Sequence, residues 1–83
     1  MKHFVYIIQS LKDCKYYIGY TTDVKKRLTY HNLGINVSTK YRKPFKLVHY
    51  EEFGDKKSAL KRERQIKSYK GGEAFKKLLA PGL

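Results

Sequence analysis

The stretch Tyr16-Tyr17-Ile18-Gly19-Tyr20-Thr21-Thr22-Asp23 changes character partway along: an aromatic and β-branched run passes directly into hydroxyl and carboxylate residues of the kind that cap helices. Upstream, Phe4-Val5-Tyr6-Ile7-Ile8 is a second such run, and polar Gln9 to Lys15 separates the two, so a β-hairpin is expected. A turn centred on Lys12-Asp13 sets Tyr6 opposite Gly19 and Ile8 opposite Tyr17. Side chains repeat with period two, so Tyr6 and Tyr17 then share a face, and a slip of one residue would part them. Tyr16, Ile18 and Tyr20 fall on the other face, where packing is the expected role.

Working outward, Thr22 or Asp23 caps a helix running to about Leu33, with Gly34 as its stop. Val24 and Leu28 are its apolar i,i+4 pair, and Lys25, Lys26, Arg27 and His31 are assigned to the other faces. Gly34 to Lys43 lacks periodicity and reads as a basic loop ending at Pro44. Phe45 to Phe53 reads as a third strand, alternating Phe45, Leu47, His49, Glu51 and Phe53 against Lys46, Val48, Tyr50 and Glu52. Asp55-Lys56-Lys57-Ser58 opens a helix to about Tyr69, Gly71-Gly72 breaks it, and Glu73 to Leu79 forms a short helix ended by Pro81. The expected class is α+β, a small three-stranded antiparallel sheet flanked by helices, in one domain spanning residues 1–83.

Composition narrows the function. Nineteen Lys and Arg against seven Asp and Glu give a formal charge of +12, which favours a polyanionic partner, nucleic acid first. A lone Cys14 leaves no intrachain disulfide and no multi-cysteine metal site, and suits a reducing compartment. No apolar run reaches the ~20 residues of a membrane span, and MKHFVYIIQS lacks a signal-peptide layout, so a cytoplasmic location without membrane attachment is expected.

Three groups of residues bear on chemistry. Glu63 lies three positions from Leu60 and from Ile66 and four from Ala59, so its carboxylate projects from the stripe facing the core, where an unpartnered charge is costly. A salt bridge to Lys67, Arg62 or Arg64 would satisfy it, and so would a metal ion. Arg27 and His31 are one helical turn apart; the pair could stabilise charge on a phosphate and move a proton, or belong to a solvated basic face. Tyrosine acts as a base only where a cation or metal lowers its pKa from about 10. Gly19, interior to a strand, marks a bulge or a close approach.

In this arrangement the sequence resembles the GIY-YIG endonucleases, in particular their small single-domain bacterial branch. Phe4-Val5-Tyr6 stands where the family's first tripeptide would be, and Tyr17-Ile18-Gly19 is the second tripeptide intact. The run Thr22-Asp23-Val24-Lys25-Lys26-Arg27-Leu28, followed by His31-Asn32, is similar to the family's first helix. Pro44 with Leu47-Val48, then Glu52-Phe53, and Ala59-Leu60-Lys61-Arg62-Glu63 with Ile66-Lys67 resemble the remaining blocks.

The resemblance implies a divalent metal, usually Mg²⁺, on Glu63. It further implies that Tyr6 and Tyr17 flank the scissile phosphate, one of them positioning or deprotonating water, while Arg27 steadies the phosphate and His31 assists. Two departures are evident: FVY replaces GIY, with its tyrosine kept, and no C-terminal asparagine corresponds to the one in several larger members. The expectation is a Mg²⁺-dependent DNA endonuclease, structure-selective or weakly sequence-selective, in repair or processing of branched or single-stranded DNA. Lys25, Lys26, Lys40, Arg42 and Lys43 are expected to contact the nucleic acid. A binding module without cleavage and a protein-interaction role are the rivals, and the oligomeric state is left open.

Overall fold

The computed structural model describes residues 1–37 and 39–79. The two apolar runs pair as β1 (His3–Ser10) and β2 (Tyr16–Thr21), with Tyr6 opposite Gly19 and Ile8 opposite Tyr17, the register expected from the sequence. Ser10, wholly buried, organises the loop between them: its hydroxyl donates to the Arg42 carbonyl at 2.5 Å and accepts from the Lys12 and Asp13 amides at 3.1 and 3.2 Å. The chain reverses through Cys14, which adopts a left-handed φ of 63°.

The third strand, β3 (Phe45–Phe53), pairs antiparallel with β1 and completes a sheet of order β2-β1-β3. Its alternation is not uniform. Ile8 faces Leu47 while Ile7 faces His49, leaving Val48 as an extra residue in a bulge. Phe45 and Leu47 therefore pack with Tyr6 and Ile8 on one side of the sheet, and Val48 and Phe53 pack with Val5 and Ile7 on the other. This corrects the simple alternation expected over Phe45 to Phe53, in which Val48 opposed Phe53.

Each face is covered by helix. α1 (Val24–Leu33) lies on the Tyr6 side; the Asp23 side chain accepts from the Lys26 amide at 3.0 Å, and Gly34 ends the helix at φ 75°. Val24 and Leu28 pack on Tyr6, Ile8 and Phe45. α2 (Lys56–Ser68), capped by Asp55, and α3 (Glu73–Leu79) cover the other side with Ala59, Ile66 and Phe75. A 3-10 turn (Lys40–Arg42) interrupts the expected loop, and the Lys43–Pro44 peptide is cis. The expected stop at Pro81 lies outside the described residues. The observed class is the expected α+β arrangement.

Candidate active site

Four elements converge where β2 forms an open edge of the sheet. β1 contributes Tyr6, β2 Tyr17 and Gly19, α1 Arg27 and His31, and α2 Glu63, and all six line one cavity of about 410 Å³. Ile18 and Tyr20, from the other face of β2, and Leu60 of α2 line it too, so the cavity runs over the strand edge.

Gly19 makes room for Tyr6. A Cβ built on it would stand 2.6 Å from Cζ of Tyr6, far inside contact distance, so the phenol ring lies over the glycine that faces it across the ladder. Tyr6 is 5% exposed, and its hydroxyl is the hub of the polar site. Nε2 of His31 lies 3.1 Å from the Tyr6 oxygen, and Nε of Arg27 donates to that oxygen at 3.3 Å. Tyr17 shares this face and stacks edge-on against Phe45, ring centroids 5.4 Å apart.

His31 is 4% exposed, contrary to its assignment to a face away from the core. The reason is helical: Val24, Leu28 and His31 stand at i, i+4 and i+7, one continuous stripe turned toward the sheet. Nδ1 of His31 lies 2.8 Å from the Thr39 hydroxyl, which itself reaches the Asn36 carbonyl at 3.5 Å. A hydroxyl donates only one proton. With that proton directed at Asn36, Thr39 accepts from Nδ1–H, and Nε2 is left to accept from Tyr6. Burial, together with the charge of Arg27, holds the His31 pKa below its ordinary value and favours this neutral imidazole.

Glu63 has a side chain 20% exposed and pairs with Lys67 at 3.5 Å. Arg62, another partner considered for Glu63, points elsewhere: it clasps Glu51 through Nε at 2.8 Å and Nη2 at 3.1 Å. Burial alone would raise the Glu51 pKa, but the hydrogen bonds from Arg62 and His49 outweigh it and lower the value. Glu63 is, among the described residues, the one carboxylate lining the cavity. Among the described residues no three His, Cys, Asp or Glu side chains converge as a ligand set. A lone carboxylate in an open cavity suits a hard divalent cation that takes oxygen ligands and keeps several waters; zinc sites need more protein nitrogen or sulfur ligands.

The expected nucleic-acid contacts separate into two groups. Exposed Lys25 and Lys26 sit on the first turns of α1, and Lys26 shares a cavity of about 240 Å³ with Arg27 and the Thr21 to Asp23 turn. Lys40, Arg42 and Lys43 lie in the connection to β3; Lys40 covers the Tyr41 ring at 4.8 Å, and Arg42 is held by Asp13 at 2.5 Å. Sequence reasoning missed Thr39, since nothing in the aperiodic Gly34 to Lys43 stretch signals a buried hydroxyl. It also missed Asn32 as a clamp, whose amide donates to the Phe45 carbonyl at 3.2 Å and accepts from the Phe45 N–H at 2.6 Å.

Comparison with known proteins agrees with this fold. The GIY-YIG catalytic domain matches residues 2–76. A UPF0213 protein of Haloquadratum walsbyi is 47% identical over 68 residues, covering 81% of this chain and 75% of the relative. One from Staphylococcus haemolyticus is 42% identical over 76 residues, covering 90% and 92%. The solution NMR structure of the UPF0213 protein BH0048 from Bacillus halodurans superposes with a TM-score of 0.59 at 35% identity, over 98% of this chain and 89% of that one. The chain belongs to the GIY-YIG family.

Proposed function

We propose that this protein is a metal-dependent endonuclease that hydrolyses phosphodiester bonds in DNA, its residues 1–83 forming one nuclease domain. The observation that carries the reading is the convergence of Tyr6, Tyr17, Arg27, His31 and Glu63, from four elements, on one open cavity.

Glu63 would hold the divalent cation, Mg²⁺ by the character of a carboxylate ligand, and that cation would supply Lewis-acid stabilisation of charge on the phosphate. Tyr6 is the group placed to take a proton from attacking water: its own proton passes to Nε2 of His31, while Arg27 stabilises the phenolate oxygen. Thr39 holds His31 in the accepting tautomer. Tyr17, across the cleft floor, orients the phosphate through its hydroxyl. Lys25 and Lys26 extend the positive surface along α1, and Lys40, Lys43 and Arg42 extend it beyond Thr39, Arg42 by exchanging Asp13 for a phosphate. The substrates we assign are branched or single-stranded DNA, in repair or processing in the cytoplasm; the cationic side chains around the cleft suit phosphates, which carry no base preference.

A panel of branched, single-stranded and duplex DNA, with RNA alongside, tests this in Mg²⁺ and in EDTA. Cutting that requires metal and disappears in Glu63→Gln and Tyr6→Phe, with folding intact, is the expected result. Tight binding with no cutting under any divalent metal would replace it with a binding module, a reading favoured by one observation, the Lys67 ammonium already beside Glu63.

A further inference from the structure

On the far side of Ile18 from the catalytic cleft, two adjoining cavities of about 490 and 350 Å³ share Tyr16, Gly71 and Phe75. Their floor is apolar: Ile66 is wholly buried, Phe75 is 5% exposed, and Tyr16 stands edge-on to Phe75 with centroids 5.2 Å apart and 43% of its surface open. Among the described residues, every charged side chain lining them is a lysine: Lys15, Lys67, Lys70 and Lys76. An open aromatic ring ringed by cations matches the chemistry of a nucleotide, whose base has a π-face and whose neighbours are phosphates.

The two regions are joined. Ile18 lines both the catalytic cleft and the larger cavity, and Lys67, on the rim of that cavity, is the ion-pair partner of Glu63. Gly19 to Lys15 spans about 13 Å of open strand edge, the distance of a few nucleotides. We propose that the Tyr16–Phe75 cavity is a base-stacking subsite, which takes one unpaired base of the DNA strand whose phosphate lies in the catalytic cleft. The subsite rests on the nuclease reading for its strand, and it makes an unpaired segment beside the cut part of what the enzyme selects. Tyr16 provides the stacking face, Lys15 and Lys70 hold the flanking phosphates, and Lys67 passes from Glu63 to the strand as it enters.

Junction DNAs with one single-stranded arm carrying a single 2-aminopurine, moved base by base along the arm toward the fixed junction, are titrated with wild-type protein in EDTA and then cut in Mg²⁺. Quenching confined to one or two neighbouring positions is expected, and an abasic site at that position should weaken binding about fivefold or more. Tyr16→Phe should keep both effects and Tyr16→Ala should lose both. Tyr16→Leu, which leaves Phe75 an apolar neighbour, applies the same criterion should the alanine variant not fold. Lys70→Gln should lower the salt dependence of binding by about one phosphate contact. Cutting without position-specific quenching, or quenching unchanged in both Tyr16→Ala and Tyr16→Leu, overturns the subsite and leaves the nuclease standing. Quenching that depends on Tyr16 in a protein that cuts nothing sustains the subsite and removes the nuclease.

Discussion

Arg27 and His31, one turn apart on α1, both end on the same oxygen, the hydroxyl of Tyr6, at 3.3 and 3.1 Å. One is a permanent cation that donates to that oxygen, and the other is a neutral base that can accept its proton. Removing the hydroxyl while keeping the ring should therefore abolish chemistry without emptying the core. Tyr6→Phe is expected to lower kcat by about 10²- to 10⁴-fold and stability by only about 1 kcal/mol. A cleavage assay beside urea unfolding reads both, and near-normal kcat would remove Tyr6 from the proton path.

The His31 pKa is held below its ordinary 6.5 by burial and by Arg27, so the unfolded chain binds this proton more readily than the folded one. The stabilisation is complete above pH 6.5 and declines as pH falls from there toward the folded value. Urea unfolding at pH 7.5 and 5.5 should show wild type losing more stability on acidification than His31→Gln does. Equal losses would mean that His31 titrates alike folded and unfolded.

At Gly19 even a methyl group would collide with the Tyr6 ring, with Cζ at 2.6 Å. Because Tyr6 is buried, the ring cannot swing freely into solvent. Gly19→Ala should cost about 1–3 kcal/mol and displace the hydroxyl from both its partners, so kcat should fall disproportionately. The shift would be visible as changed His31 ring resonances by NMR.

Lys67 competes for the Glu63 carboxylate at 3.5 Å, with its own side chain 55% exposed. Such a pair is worth at most about 1 kcal/mol, so Lys67→Met should lower the Mg²⁺ concentration for half-maximal cleavage by about two- to fivefold. An unchanged or raised requirement would place the cation away from Glu63.

At the β3 edge of the sheet, Glu51 and Arg62 tie β3 to α2 with side chains only 23% and 24% exposed. Arg62→Met leaves the half-buried Glu51 carboxylate with His49 as its remaining partner and should cost about 1–3 kcal/mol, largely restored by adding Glu51→Gln. Since the Glu51 pKa is lowered on folding, its share of stability is present above the ordinary carboxylate value and fades as pH falls through the folded one. A double-mutant cycle measures the coupling, and additive losses would mean that the clasp contributes nothing.

The hairpin register and both main helix caps were legible because each depends on residues close in sequence. Tyr6 and Gly19 are set opposite one another by counting back from a short turn, and Asp23 and Gly34 bracket α1 by their own chemistry. What escaped depends on partners distant in sequence. His31 continues the stripe begun by Val24 and Leu28, yet an imidazole reads as surface until Tyr6 and Thr39 are seen to satisfy it. Val48, a good strand residue in any setting, carries no mark of being the extra one.

That bulge makes β3 a strand with two phases. Its first half feeds the core under α1, its second half the core under α2, and Val48 is the joint where the reading frame of the pleat changes. Were Val48 instead taken into an unbroken ladder opposite Ile7, the composition would be untouched and everything downstream of it would be inverted. Phe53 would turn toward the α1 side and Glu51 would leave Arg62, uncoupling the helix that carries Glu63 from the sheet that carries Tyr6.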